Sequence, residues 1–142
     1  MDIGLVSLGT TPGLRRADEA LADQIRAAGA SCQLVPVRIG RAAGALRRNA
    51  AVTDLVEALA ARRAARGVDA RALVFSSVTA ALLQATPEVP WAVRFDSTAE
   101  LNRPGVSGAW QRARERRVLA RAPLLLPWGE RAGQGLVVRV PI

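Results

Sequence analysis

Residues Pro90–Trp128 read PWAVRFDSTAELNRPGVSGAWQRARERRVLARAPLLLPW. The apolar run Trp91–Phe95 stops at Asp96, Ser97 and Thr98. A polar loop with Asn102, Pro104 and Gly105 follows, and Ser107 opens a helical stretch. Ala122–Pro127 is apolar again. Strand, loop, helix and strand in that order form the crossover that builds parallel sheets. Ligands of open parallel sheets gather outside the carboxyl ends of the strands. Asp96–Thr98 occupies such an end, so the site is expected there.

The same grammar extends towards the amino terminus. Ala72–Phe75 reads as a strand with Ser76 and Ser77 at its carboxyl end, and a short helix over Val78–Ala85 follows. Before it, Val52, Leu55, Val56 and Leu59 form an apolar stripe on a helix that Asn49 caps and Gly67 ends. Arg62, Arg63 and Arg66 suit the carboxyl end of its dipole. Arg38–Asn49 reads as a weak amphipathic helix, with Ile39, Ala43 and Leu46 on one face. Gln33–Val37 is a further strand, and Cys32 beside it reads as a buried thiol.

Ile3–Leu8 is nearly all apolar, as befits a strand covered on both faces. The turn Gly9-Thr10-Thr11-Pro12-Gly13 leads into a helix carrying Leu14, Ala17, Leu21, Ile25 and Ala28 at helical spacing, with Asp18, Glu19, Asp23 and Arg26 outside. Gly29 stops it. A glycine-rich turn opening a helix offers an anion its backbone amides. It also serves as a plain tight turn, and it is neither GxGxxG nor a P-loop. Arg15 and Arg16 stand beside it, either facing an anionic group or simply solvated. Beyond Trp128, Pro127–Gly135 reads as a loop and Leu136–Val140 as a last strand.

Strand and helix alternate throughout. The expected fold is an α/β three-layer, Rossmann-like sandwich around a central parallel sheet of about six strands, with right-handed crossovers. The 142 residues suit one domain.

Composition narrows the chemistry. The net charge of +8 rests on arginine alone, since the sequence has no lysine. An arginine excess suits anionic partners, and it equally reflects GC-rich codons and solvated helix faces. The arginines are spread over every helix and not interleaved with aromatics, which argues against nucleic acid as a partner. The absence of histidine removes imidazole bases, His-based triads and His metal ligands. One cysteine without histidine argues against a zinc site, and no metal ligand set is expected. A lone thiol, an acidic start and no apolar run long enough for a bilayer point to the cytoplasm.

The segments also resemble a known family, the N-terminal domain of GT-B glycosyltransferases of the retaining family-four type. Leu21-Ala22-Asp23-Gln24-Ile25-Arg26-Ala27-Ala28-Gly29 is similar to that family's L-A-x-x-L-x-x-x-G, with Ile25 for leucine. Pro90–Asp96 is similar to its V-P-x-V-x-x-x-H/D, with Asp96 where a histidine often stands. Glu115–Pro127 resembles E-x-x-x-L-x-x-A-d-x-v-i-x-x-S, and Val137–Ile142 resembles the strand that leads into the hinge. The family's paired-glutamate motif has no counterpart in these residues.

The resemblance implies an acceptor-binding half of a metal-independent enzyme that moves a sugar from a nucleotide-sugar to an acceptor hydroxyl. No cofactor is implied. The donor would be held mainly by a C-terminal half outside these residues, so residues 1–142 alone would transfer no sugar. It places the acceptor, a sugar or a lipid-linked molecule, against Gly9, Thr10, Thr11, Gly13, Arg15, Ser76, Ser77, Ser97 and Thr98. Asp96 is the candidate catalytic residue, or else a cap on the loop that follows it. Lipid-linked acceptors imply work at the inner face of an anionic membrane, where Arg38, Arg41, Arg47 and Arg48 beside Ile39 and Leu46 suit an interfacial basic helix. A stand-alone flavodoxin-like ligand-binding module without catalysis is the alternative.

Overall fold

The computed structural model describes residues 1–41, 45, 49–84 and 88–128. Five strands lie in one all-parallel sheet: β1 (Ile3–Ser7), β2 (Cys32–Pro36), β3 (Ala72–Phe75), β4 (Trp91–Phe95) and β5 (Leu124–Pro127), in the order β2-β1-β3-β4-β5. The expected sixth strand, Leu136–Val140, falls outside the described residues, as do Arg47 and Arg48. Helix α1 (Pro12–Ala27) follows β1 and α2 (Ala50–Arg66) follows β2. The short helix α3 (Val78–Ala81) follows β3. After β4 come α4 (Ala99–Asn102), a 3-10 turn (Val106–Gly108) and α5 (Ala109–Arg121). The fold is α/β and Rossmann-like, as the alternating pattern predicts.

The central strands carry continuous apolar runs because both of their faces are covered. Leu5, Val74 and Ala92 point to one face, where Ala22 of α1 covers them. Val6, Phe75 and Val93 point to the other, against Ala58, Ala61 and Ala65 of α2, Val78 of α3 and Val118 of α5. Phe75 meets Trp91 edge to face, ring centroids 5.9 Å apart. The outer strands depart from the sequence reading. Every residue of β2 and β5 is at most partly buried, because each lies at an edge of the sheet among the described residues. Cys32 is accordingly a half-buried free thiol and not a fully buried one.

Local signals behave as their chemistry demands. Asn49 Oδ1 accepts from Val52 N–H at 2.9 Å and starts α2; Gly67 ends it. Two expectations fail. Ser107 does not cap α5: it lies within the 3-10 turn, and Gly108 is the N-cap. The stripe expected to bury α2 is rotated. Leu55 and Leu59 are exposed, while Asp54, Glu57, Ala58, Ala61 and Ala65 face inward at helical spacing. Alanines let α2 lie close to the sheet, and its two acids are carried in with them.

This topology sets where a ligand can sit. The chain steps from β1 outward to β2, then crosses back over β1 to β3. The connections therefore diverge at the carboxyl ends of β1 and β3, which leaves a crevice there.

Candidate functional site

The crevice is a pair of adjoining cavities of about 210 and 110 Å³, lined by polar and apolar groups alike. Asp54, Ser77, Thr79, Asp96 and Arg103 line both. The larger one also reaches Gly9 and Thr10 after β1, Asp18 of α1, Ser76 after β3, Arg94 of β4 and Trp128 after β5. The smaller extends behind Asp96 to Ser97, Asn102, Gln111 and Glu115.

Asp96 is exposed at the end of β4 and accepts from Ser97 Oγ at 3.3 Å. Ser97 Oγ in turn accepts from Asn102 Nδ2. Asp96 is thus held by its loop and still open to the cleft. Ser77 caps α3, its Oγ accepting from Ala80 N–H at 3.2 Å, while it lines both cavities. Ser76 is buried and its Oγ accepts from Leu8 N–H at 3.4 Å. Thr98 stands before α4 and lines neither cavity.

The turn after β1 is built differently from the anion cradle that its glycines allow. Gly9 has φ +51°, a conformation other residues adopt at a cost. Thr11 caps α1: its Oγ1 accepts from Leu14 N–H at 3.2 Å, and its carbonyl accepts from Arg15 N–H at 3.0 Å. Pro12 has no N–H to give. Arg15 bends back and donates from Nη1 to the Gly9 carbonyl at 2.8 Å. It braces the turn instead of reaching into the cleft. Gly9 and Thr10 line the larger cavity; Thr11, Gly13 and Arg15 do not.

Several lining groups escape a reading of the sequence. Asp18, placed outside by that reading, is only 1% exposed. Its Oδ2 accepts from Ser7 Oγ at 2.5 Å and its Oδ1 from Arg94 Nη1 at 3.2 Å. Burial raises the Asp18 pKa above the ordinary 3.8, against the pull of Ser7, Ser76 and Arg94. Burial likewise lowers that of Arg94, which Asp18 and Asp96 partly offset. The guanidinium carbon of Arg94 lies 3.7 Å from the centre of the Trp128 ring, a cation–π stack.

Deeper in, Arg103 forks onto Asp54, Nε to Oδ2 at 3.0 Å and Nη2 to Oδ1 at 3.2 Å. That fork raises the Arg103 pKa. Glu115 is buried and accepts from Ala99 N–H at 2.7 Å, capping α4 from across the loop. Burial raises its pKa. One signal for Asp18 was present in the sequence. It stands four residues after Leu14 and four before Ala22, on the apolar stripe, where an acid must find partners.

Of the arginines assigned to a membrane, Arg38 and Arg41 are exposed. Among the described residues no helix is long and apolar enough to cross a membrane, and no group of three or more acids, cysteines or histidines is placed to hold a metal ion.

In chemical terms the cleft offers hydroxyls, carboxylates and an arginine-stacked indole. Such a lining orients hydroxyl groups by accepting from them. No protein-family model, curated protein or solved structure matches the chain.

Proposed function

We propose that residues 1–142 are the acceptor-binding half of a GT-B-type glycosyltransferase that transfers a sugar from a nucleotide-sugar to an acceptor hydroxyl. The observation that carries this reading is the lining of the crevice. Asp96 and Asp54 accept, Ser77 and Thr79 both donate and accept, and all four border both cavities. That set suits a hydroxyl-bearing acceptor better than a nucleotide diphosphate. A diphosphate would meet the carboxylates of Asp54 and Asp96.

In this reading Asp96 accepts a hydrogen bond from the reacting or neighbouring hydroxyl and fixes its direction. Orientation of that kind contributes much of a transfer reaction's barrier lowering. Arg94 and Trp128 form the wall by α1. The donor and its leaving diphosphate are held by a second domain, and closure of the two excludes water. A lipid-linked acceptor would bring the protein to an anionic membrane, with Arg38 and Arg41 on the facing surface. Co-sedimentation with anionic and neutral vesicles checks this. Salt-sensitive pelleting with the anionic ones alone is expected.

A second reading is a flavodoxin-like binding module without catalysis. The strand order β2-β1-β3-β4-β5 favours it, because that order with a ligand at the β1/β3 crevice is shared by such modules. One experiment separates the two. The full-length protein is assayed for label transfer from a panel of nucleotide-sugars, and residues 1–142 are titrated with the same donors by calorimetry. Transfer by the full-length protein with little donor binding by residues 1–142 supports the acceptor half. Tight donor binding or turnover by residues 1–142 refutes it.

A further inference from the structure

A second cavity, of about 150 Å³, lies away from the cleft and is lined by Gln84, Trp91, Arg114, Arg117, Val118 and Arg121. Trp91 opens β4 and Arg121 closes α5, so this cavity sits at the amino end of β4, opposite the end that carries Asp96. Its volume far exceeds the roughly 15 Å³ that one water needs. Trp91 and Val118 are buried, which gives it an apolar floor; Arg117 and Arg121 are exposed and Arg114 is half-buried at its rim.

The charge here is of one sign. Arg114, Arg117 and Arg121 line the cavity and no carboxylate does. They stand three and four residues apart on one face of α5, where like charges repel. Other arginines of the helix are used elsewhere: Arg112 donates to the Arg103 and Gly105 carbonyls, and Arg116 pairs with Glu100 at 3.6 Å. Arg117 and Arg121 have no hydrogen bond or ion pair among the described residues. Arg121, in the last turn, answers the negative end of the helix dipole. Arg117 and Arg114 stand further back and have no such role.

Arg114 is held in place. Its Nε donates to the Leu82 carbonyl at 3.0 Å, while Nη1 and Nη2 have no partner among the described residues. A guanidinium fixed at Nε presents its remaining N–H groups as a ready fork for an oxyanion. A cation is repelled from such a site, and a neutral ligand leaves the repulsion among the three arginines in place. A compact group with two negative charges and several oxygens relieves it.

We infer that this cavity is an oxyanion site that takes a phosphate group, with Arg114 as its fixed fork and Arg117 and Arg121 closing over it. The site is separate from the cleft, and the inference does not rest on the acceptor reading. The phosphate belongs either to a soluble phosphorylated molecule or to a lipid headgroup.

The test is NMR on the full-length protein at constant ionic strength, following the Trp91 indole signal, assigned through its loss in Trp91→Phe. Inorganic phosphate is expected to shift it saturably, and sodium chloride and D-glucose to leave it unmoved. Arg114→Gln should weaken phosphate binding about ten-fold, the scale of a lost charge-assisted hydrogen bond. Arg117→Gln should weaken it too while keeping the thermal midpoint, because Arg117 holds nothing in the fold; this variant decides the matter if Arg114→Gln unfolds. No saturable shift with phosphate, the same shift with chloride, or an affinity that Arg117→Gln leaves intact overturns the inference. Where phosphate does bind, vesicles of phosphatidate in phosphatidylcholine identify its source. Pelleting that free phosphate competes away assigns a lipid headgroup, and no pelleting assigns a soluble phosphorylated molecule.

Discussion

Arg94 Nη1 lies 3.2 Å from Asp18 Oδ1, so a guanidinium from the middle of the sheet holds an acid on the first helix. The two residues are 76 positions apart in the chain, and both side chains are nearly buried. Burial works against each charge, yet each is the other's compensation. The pair ties α1 to β4 beside the cleft, and Trp128 stacks on its outer side.

Removing one member strands the other. Arg94→Met leaves the Asp18 carboxylate buried with only hydroxyl partners, and should cost about 3–5 kcal/mol. The double variant Arg94→Met/Asp18→Asn should recover part of that loss, because no buried charge remains. Urea denaturation of the four proteins checks it. Additive losses would mean that the pair is not coupled.

Glu115 sets a pH dependence. Its folded pKa is raised above the ordinary 4.5, so the folded state keeps this proton to higher pH than the unfolded state does. Its contribution to stability is therefore complete below about pH 4.5, the ordinary glutamate value, and falls as pH rises through the folded pKa. Glu115→Gln keeps an oxygen for the Ala99 N–H and removes the titration. Relative to that variant, the wild type should lose stability as pH rises from about 4.5 through the raised folded pKa, and no further beyond it. Denaturation midpoints across that range measure it, and a flat difference would contradict it.

Gly108 has no room for a side chain. A Cβ there would collide with the Arg103 carbonyl oxygen and crowd the Arg103 Cβ. Backbone is the obstacle, so the loop must shift and carry Arg103 off its fork with Asp54. Gly108→Ala should cost about 1–3 kcal/mol by this overpacking. It should also weaken ligand binding, because Arg103 borders both cavities. A neutral effect on the thermal midpoint would show that the loop relaxes freely.

The sheet was legible because burial on both faces leaves one kind of sequence, and Leu5-Val6, Val74-Phe75 and Ala92-Val93 carry it. Caps such as Asn49 were legible because the bond spans three residues. The cleft was legible only in outline: Asp96, Ser76 and Ser77 were found from their place after strands. Asp18, Asp54, Glu115 and Gln111 were not. Their partners Arg94, Arg103, Ala99 and again Asp54 stand 76, 49, 16 and 57 positions away. Periodicity cannot pair residues that only the crossovers bring together. Ser107 misled for a related reason. Gly108 must pass close to Arg103, and the 3-10 turn this requires moves the cap by one residue.

In the proposed function the open carboxylate at the end of β4 orients an acceptor hydroxyl. The most direct measurement compares turnover and thermal midpoint of the full-length protein with and without Asp96→Ala. Asp96 is exposed, and among the described residues its side-chain hydrogen bond is to the adjacent Ser97. Its loss should therefore change stability by no more than about 0.5 kcal/mol. Turnover should fall by about 100-fold, the scale of a lost positioning or proton-accepting group. Unchanged turnover, or a loss matched by unfolding, would contradict the account.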